Sequence, residues 1–286
     1  MTKTLVYIIG AGRSGTTLLD IVLGNAKNAI SLGEINRFFR RSGVPPKRKD
    51  YSKVYKYWKK IRNDFLSDSD LDIKQLEKEF ENNEYHTSWL KCLFKLNSKS
   101  YQFLLQKHYQ SILRNTHESI IIESSKYPSR AINICNYVAN ENLEVKFIYL
   151  RKDPVSVVKS FEKKGLEQPS KGFLASNLYY LLVNIICQFS VFSIRRKGFV
   201  VSKVKYEDLI EKRDLEIRRV GEDLSLNLLE LEDKLKKNSP LDTGFLFDGN
   251  RIRLKETLHL RTSEANDSIK TGKEIFTRIF NYIVYR

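Results

Sequence analysis

Residues 4–17 read TLVYIIGAGRSGTT, an apolar run that passes directly into a glycine-rich turn. The segment Thr4–Ile9 is apolar enough for a fully buried strand, and Thr16–Ala26 carries apolar residues at helical spacing. In a strand, glycine turn and helix in this order, backbone N–H groups and the positive end of the helix dipole converge on one point. We therefore predict a strand–turn–helix unit that binds an anionic group.

The same alternation of strands and helices continues in the second half of the chain. Short apolar runs predict further strands, and proline-initiated amphipathic segments predict helices between them. The predicted strands are Ser119–Ile122, Val145–Leu150 and Gly198–Val204, and the predicted helices are Pro128–Asn140, Pro154–Phe161 and a terminal Asn266–Arg286. Strands separated by helices imply right-handed crossovers. We predict an α/β fold with a P-loop-like, mainly parallel central sheet flanked by helices, as one domain over residues 1–286.

Residues 40–110 depart from this alternation. They are basic, aromatic and mostly helical in pattern, and we interpret them as a helical insertion that shapes a binding pocket. The stretch Arg40–Arg62 interleaves cations with tyrosines and a tryptophan, a composition that fits nucleic acid, an acidic glycan, a membrane surface or a solvated helix face. A solvated face is the commonest outcome for such a stretch, and we expect no nucleic acid partner.

The uncharged stretch Gly172–Ile194 has the length of a membrane span. It also contains Ser176, Asn177, Asn184 and Gln188, which are costly in hydrocarbon. We therefore predict a buried core helix and no membrane span, and leave peripheral membrane contact open.

Composition narrows the partners and the compartment. The chain has 50 Lys and Arg against 34 Asp and Glu, a formal charge of +16, which favours anionic partners. Cys92, Cys135 and Cys187 are widely spaced and odd in number, which indicates neither a disulfide scaffold nor a metal site. The apolar run Leu5–Ile9 is too short for the core of a signal peptide. We predict a cytoplasmic protein.

The glycine turn Gly10–Thr17 nearly matches the Walker A pattern of P-loop nucleotide-binding proteins. Thr16 stands where that pattern requires the lysine that reaches the β- and γ-phosphates of a nucleoside triphosphate. Arg13 instead supplies a cation inside the turn. A P-loop kinase or nucleotide hydrolase is thus one alternative, and a non-enzymatic basic module that binds polyanions is another.

The run Arg13-Ser14-Gly15-Thr16-Thr17 resembles the 5′-phosphosulfate loop of the sulfotransferase superfamily. With Gly33-Glu34 downstream, its style is closest to the tyrosylprotein and bacterial carbohydrate-type branches. The resemblance implies that the turn holds the 5′-phosphate and sulfate of 3′-phosphoadenosine 5′-phosphosulfate (PAPS), and that no metal is required. The implied binding residues of the turn are Gly12, Arg13, Ser14, Gly15, Thr16 and Thr17.

Two further segments resemble the same superfamily. Lys126, directly after a predicted strand, is similar to the family's lysine beside the sulfate. In the segment RKDP, aligning Asp153-Pro154 with the family's Arg-Asp-Pro puts Lys152 in the arginine position, and Ser160 follows at the family's spacing. Arg151 stands one place early. Either cation suits a 3′-phosphate, since a dianion demands charge more than a bidentate fork.

Two late segments extend the resemblance. Lys205–Leu209 (KYEDL) looks like a strand-ending segment of the family, and we interpret it as mainly structural. Asn250 and Arg251 lie in a glycine-asparagine-basic run similar to one that covers the nucleotide in relatives, although a surface turn explains this short match nearly as well. Residues 40–110 lie outside the resemblance.

The resemblance implies in-line transfer of a sulfuryl group from PAPS to a hydroxyl or amine, leaving 3′-phosphoadenosine 5′-phosphate (PAP). It assigns the base to Glu34, twenty-one residues after Arg13, and the stabilisation of leaving-group charge to Arg13 and Lys126. A salt-bridging or helix-start role is the alternative for Glu34. The sequence decides neither the acceptor, which is a glycan, lipid, peptide or metabolite, nor the oligomeric state.

Overall fold

A computed structural model describes residues 2–48, 51–67, 73–163, 170–260 and 271–286. The strands are β1 (Lys3–Gly10), β2 (Ala29–Gly33), β3 (Ile120–Lys126), β4 (Leu143–Arg151), β5 (Val201–Lys205), β6 (Leu241–Asp242) and β7 (Thr257–Leu258). The first five form one sheet in the order β2-β3-β1-β4-β5, and every neighbouring pair is parallel. Strands β6 and β7 form a short antiparallel pair. The predicted α/β fold is confirmed.

Helices cover both faces of this sheet. They are α1 (Thr16–Leu23), α2 (Tyr51–Leu66), α3 (Ile73–Glu84), α4 (Trp89–Leu93), α5 (Lys99–Asn115), α6 (Pro128–Tyr137), α7 (Pro154–Glu162), α8 (Phe173–Arg196), α9 (Tyr206–Glu211), α10 (Arg213–Leu224), α11 (Leu229–Lys236), α12 (Gly272–Phe280) and α13 (Tyr282–Tyr285). Short 3₁₀ turns at Ile35–Arg37, Phe39–Arg41, His86–Ser88 and Arg251–Leu254 complete the described chain.

The central strand β1 explains the layering. Alternate residues of a strand point to opposite faces, so a strand buried on both sides is apolar throughout. Leu5, Tyr7 and Ile9 join the core formed with α2, α5, α6 and α8. Val6 and Ile8 join a second core formed with α1, α10 and α11. The carboxyl end of β1 therefore opens between two packed layers, where the glycine turn begins.

Strand β2 is an element that the sequence analysis did not predict. It lies at the edge of the sheet, and the helix expected to run to Ala26 ends at Leu23. Five residues, AISLG, are too few to show an alternating pattern, and the strand is specified by its pairing with β3. Its consequence is functional, because β2 delivers Glu34 to the carboxyl edge of the sheet.

The predicted helical insertion consists of α2 to α5. In α2, Val54, Trp58, Ile61 and Phe65 are buried at helical spacing. The indole N–H of Trp58 donates to the Phe245 carbonyl oxygen at 2.7 Å. Since Trp58 is buried, it is not available to stack on bases.

Helix α8 contains nearly all of Gly172–Ile194, the segment predicted to be a buried core helix. Among the described helices it alone has the length and composition of a membrane span, and it packs against β1, α6 and α7. Nine of its 24 residues are buried, so the prediction of a buried core helix holds for one side of α8 only. The start of the predicted terminal helix, 266–270, lies outside the described residues, and the rest forms α12 and α13.

Candidate active site

A cavity of about 460 Å³ lies at the carboxyl edge of the sheet. This edge is where parallel α/β sheets bind their ligands, because the loops that leave the strands meet there. The cavity lining includes Arg13, Gly15, Thr16, Thr17, Glu34, Arg37, Lys126, Lys152, Ser160, Tyr206, Gly249, Asn250, Arg251, Lys255 and His259. Most of the residues that the sequence analysis singled out thus share one space.

The glycine turn after β1 requires left-handed backbone. Gly15 has φ 96°, and a Cβ at this position would overlap the ring of Tyr206, so only glycine fits. Arg13 has φ 65° although it is not glycine. Such conformations cost free energy and concentrate at functional sites, which supports a functional role for the turn.

Arg13 connects the turn to α7. Its Nη1 donates to the carbonyl oxygen of Ser160 at 2.8 Å and to its Oγ at 3.3 Å. The guanidinium carbon lies 4.8 Å from the centre of the Phe161 ring. The pKa of Arg13 is lowered by burial. Arg13 is therefore positioned by two residues of α7 and still lines the cavity.

The remaining turn residues divide between lining and support. Thr16 and Thr17 line the cavity, and Thr17 Oγ1 accepts the backbone N–H of Asn250 at 3.1 Å. Gly12 and Ser14 lie outside the lining: the Gly12 N–H donates to the Tyr179 hydroxyl at 3.2 Å, and Ser14 Oγ donates to the Ala11 carbonyl at 2.7 Å. Gly12 and Ser14 therefore hold the turn in shape.

Glu34 follows β2 and faces two cations. One carboxylate oxygen accepts from Lys126 Nζ, and the other lies 3.0 Å from Arg37 Nε. Glu34 is 4% exposed. The ion pair proposed as the alternative role of Glu34 is thus present, and it is formed with the lysine predicted to lie beside the sulfate.

Irregular strand ends aim these two side chains. The β2–β3 register shifts between Ser31 and Gly33, and the β1–β3 register shifts before Lys126. Such irregularities re-aim a side chain at the end of a strand. Lys126 also has φ 64°, a second cavity cation in a strained backbone conformation.

A buried carboxyl group, Asp20, supports Glu34 from below. Its Oδ2 accepts the backbone N–H of Gly33 at 2.9 Å. Asp20 is fully buried in α1, and this burial raises its pKa to about 8, although the hydrogen bond from the Gly33 N–H acts in the opposite direction. Sequence analysis missed Asp20, because nothing in the sequence of α1 places it behind residue 33.

Asp248 anchors the late segment to the same place. Its backbone oxygen accepts the Glu34 N–H at 3.0 Å, and a Cβ on Gly33 (φ 75°) would overlap that oxygen. The Asp248 carboxylate pairs with Arg41 at 2.7 Å, Arg37 at 3.2 Å and Arg253 at 3.5 Å. Burial opposes its charge, but Arg37, the Gly249 N–H and Arg41 hold its pKa below the usual value.

The side chains of Arg151 and Lys152, at the end of β4, lie in different surroundings. Lys152 lines the cavity, with its Nζ 3.8 Å from the centre of the Tyr206 ring, and burial lowers its pKa. Arg151 Nη1 donates to the carbonyl oxygen of Arg286 at 2.6 Å and does not line the cavity. Arg151 is the last residue of β4 and Lys152 is the first residue after it. Of the two cations, Lys152 is therefore the one that the structure places in the cavity lining.

The late segment closes one side of the cavity. Asn250 and Arg251 line it, and the Asn250 side chain caps the 3₁₀ turn Arg251–Leu254 by accepting from the Ile252 N–H at 3.3 Å. Tyr206, which we interpreted as structural, also lines it. Tyr206 was missed because its segment matched a structural pattern, and Lys255 because its segment carried no motif.

The charged side chains that line this cavity are almost all basic. Its lining contains Glu34 as its one carboxylate against six basic side chains, Arg13, Arg37, Lys126, Lys152, Arg251 and Lys255. Such a lining fits a nucleotide with several phosphate or sulfate groups. Within the described ranges, no group of three or more His, Cys, Asp or Glu residues is arranged to hold a metal ion.

Solved structures of other proteins share this architecture. No protein-family model and no curated protein matches the sequence. Among solved structures, a sulfotransferase domain from the curacin biosynthetic pathway matches 99% of this chain and 98% of its own, with TM-score 0.56 and 15% identity. A sulfotransferase domain from the olefin synthase of Synechococcus PCC 7002 matches 100% of this chain and 96% of its own, with TM-score 0.43 and 15% identity. On the first of these matches, the chain has the fold of the sulfotransferases.

Proposed function

We propose that this protein transfers a sulfuryl group from PAPS to a hydroxyl or amine of an acceptor. One observation carries the proposal: beside the glycine turn, a buried Glu34 pairs with Lys126 in a cavity whose other Lys, Arg, Asp and Glu lining residues are all cations. A P-loop kinase or hydrolase would need a lysine at position 16, where this chain has threonine.

The cavity residues fit the donor in two groups. Arg13, Thr16 and Thr17 would hold the 5′-phosphosulfate, because they surround the start of α1, where helix-dipole and N–H donors favour an anion. Lys152 and Ser160 would hold the 3′-phosphate, with Asn250 and Arg251 covering the nucleotide. PAPS would supply a sulfuryl group already activated by its bond to phosphate.

The reacting residues lie at the β2–β3 side of the cavity. Glu34 would accept the proton of the attacking hydroxyl or amine, and Arg13 and Lys126 would stabilise the charge that gathers on the leaving phosphate. Each donor aimed at developing charge contributes on the order of 3 kcal/mol to lowering the barrier. Asp248 and Asp20 would act indirectly. Asp248 accepts the backbone N–H of Glu34 and Asp20 accepts that of Gly33, so together they would fix the backbone that carries the Glu34 side chain.

The acceptor would approach from the side of Glu34 and Arg37. The polypeptide that follows Arg37 continues into the helical region 40–110. We propose that this region shapes the acceptor pocket. Glycan, lipid, peptide and small metabolite all remain candidates, and we propose a cytoplasmic setting.

A transfer assay with radiolabelled PAPS against a panel of these acceptors tests the proposal. We expect labelled product from at least one acceptor class, formed about a thousandfold more slowly with Glu34→Gln. The exposed Glu144→Gln is a matched control, since Glu144 pairs only with groups outside the cavity.

Two outcomes would contradict the proposal. Hydrolysis of ATP with Mg²⁺, without thermal stabilisation by PAP, would favour the kinase or hydrolase alternative. Stabilisation by neither nucleotide, together with binding of acidic polysaccharide, would favour a non-enzymatic basic module.

A further inference from the structure

Helix α8 exposes an apolar side to solvent, whereas its buried side mixes polar and apolar residues. Its buried residues include Ser176, Asn177, Asn184 and Ser190. Its exposed residues are large and apolar, between 50% and 69% exposed: Leu174, Leu178, Leu182, Phe189 and Phe192. At 100° per residue these five fall within about 80° of arc and extend about 27 Å along the helix. An apolar stripe of this length therefore faces away from the protein.

The C-terminal helices widen this stripe. In α12 and α13, Ile279 is 72% exposed and Ile283 is 80% exposed. Asn281 Nδ2 donates to Asn177 Oδ1 at 2.9 Å, which fixes these helices against α8. The rings of Phe173 and Phe276 lie 5.7 Å apart at the junction. We name the exposed apolar residues of α8, α12 and α13 the α8–α12 face.

Cations border this face. Lys273 Nζ lies 5.3 Å from the centre of the Phe173 ring, and the Arg196 guanidinium lies 5.7 Å from that of Phe192. Helix α8 contains no acidic residue. Glu274, the one acidic residue in α12 and α13, forms an ion pair with Lys159. The face is therefore apolar at its centre and positive at its edge.

We propose that the α8–α12 face binds the surface of an anionic phospholipid membrane, with α8 lying in the interfacial plane. Apolar side chains beside lysine and arginine are the pattern of helices that lie in a membrane interface, and the basic edge is complementary to anionic headgroups. This inference goes beyond the proposed function and does not depend on it. The opposite face of α8 is buried against the protein, so α8 lies on the membrane and does not cross it.

A second copy of this chain fits this face less well than a membrane does. A second copy of the chain would bring the basic edges, Lys273 and Arg196 among them, towards like charges on a protein of net charge +16. Anionic lipid supplies both the hydrocarbon for the leucines and phenylalanines and the counter-charge for the edge.

Sedimentation with phosphatidylcholine vesicles, with and without phosphatidylglycerol, tests the proposal. We expect binding to the anionic vesicles and little to the neutral ones. Phe189→Ser/Phe192→Ser, and separately Ile279→Ser/Ile283→Ser, should each weaken the partition coefficient by about tenfold. Because these side chains are exposed, folding should be unaffected, and circular dichroism checks it.

Matched controls lie on the other side of the sheet. Leu215 and Leu229 are 54% and 66% exposed on α10 and α11, which pack on the opposite apolar layer, and Leu215→Ser/Leu229→Ser should bind vesicles like the unchanged protein. Lys273→Glu/Arg196→Glu should lose binding to anionic vesicles.

Tryptophan fluorescence gives an independent readout. The ring of Trp89 lies 5.9 Å from that of Phe189, whereas Trp58 is buried, and these are the two tryptophans of the chain. Brominated anionic lipid should quench the emission, and Trp89→Phe should abolish that quenching.

Several results would overturn the proposal. They are equal binding by the face and control variants, absence of vesicle binding, and quenching that persists in Trp89→Phe. A dimer mass in light scattering that falls to the monomer in Phe189→Ser/Phe192→Ser would likewise overturn it, because a second copy would then cover the face.

Discussion

The two sides of the cavity are built in different ways. On the side where we propose that PAPS binds, here named the donor side, eight consecutive residues, Gly10–Thr17, form a turn whose shape follows from local backbone requirements at Arg13 and Gly15. On the side where we propose that the acceptor binds, here named the acceptor side, Glu34, Lys126 and Asp248 come from three distant segments and are joined by ion pairs and backbone hydrogen bonds. An anion-binding site can thus be specified by one local turn, whereas the position of a reactive carboxylate depends on contacts between segments far apart in sequence.

The largest expected effect separates the two sides. Glu34→Gln should slow transfer by about a thousandfold, because it removes the proton acceptor, while leaving PAP affinity within about twofold, because Glu34 lies on the acceptor side. Single-turnover assays and calorimetric titration measure the two quantities. A transfer rate in Glu34→Gln within about tenfold of the unchanged protein would remove Glu34 as the base.

Arg13→Ala should affect both quantities. We expect PAP affinity and turnover to fall by about a hundredfold, since Arg13 contacts the 5′ end of the nucleotide in our account and contributes a charge-assisted donor. Arg114→Ala is the control, because Arg114 forms an ion pair with Asp64 outside the cavity. Unchanged PAP affinity in Arg13→Ala would contradict the assignment of the donor side.

Lys152 and Arg151 provide a matched pair within the donor side. Lys152→Ala should weaken PAP binding by about tenfold, and Arg151→Ala should leave it unchanged, because the Arg151 guanidinium contacts the Arg286 carbonyl. Titration with adenosine 5′-phosphate, which lacks the 3′-phosphate, should show no difference between Lys152→Ala and the unchanged protein. A stronger effect from Arg151→Ala would reverse the assignment.

Asp20→Asn tests the support beneath the acceptor side. The folded-state pKa of Asp20 is raised to about 8, from 3.8, so the folded protein holds a proton that the unfolded chain releases. Stability should therefore fall as pH rises between these values, by up to ~1.4 kcal/mol per pH unit. Asp20→Asn should show a shallower fall in the free energy of unfolding between about pH 5 and pH 7. Denaturant titration at both pH values measures it, and an identical slope would contradict an ionisable, buried Asp20.

The sheet was largely predictable, because β1, β3 and β4 contain apolar runs next to motifs, as in Leu143–Arg151, and β5 overlaps the predicted strand Gly198–Val204. The edge strand Ala29–Gly33 was not, since its five residues acquire their identity by pairing with β3. The prediction of one domain over residues 1–286 stays a prediction.

The site was predictable where it is local. The turn, Lys126 and the pair Arg151 and Lys152 were identified from family-like segments next to strand ends, and the structure gathers Arg13, Gly15, Thr16, Thr17, Lys126 and Lys152 in one cavity. Asp20 and Asp248 were not predictable, because their roles are hydrogen bonds to Gly33 and Glu34, far away in sequence. The exposed apolar side of α8 was equally hidden, since the sequence shows an uncharged helix and only packing shows which side is buried.

Calorimetric titration of the protein with PAP in the presence of a metal chelator tests the central claim most directly. The account predicts one site per chain with a dissociation constant in the micromolar range, weakened by Arg13→Ala and untouched by Glu34→Gln. No heat with PAP at millimolar concentration, or binding of ATP that requires Mg²⁺ and is unaffected by Arg13→Ala, would contradict it.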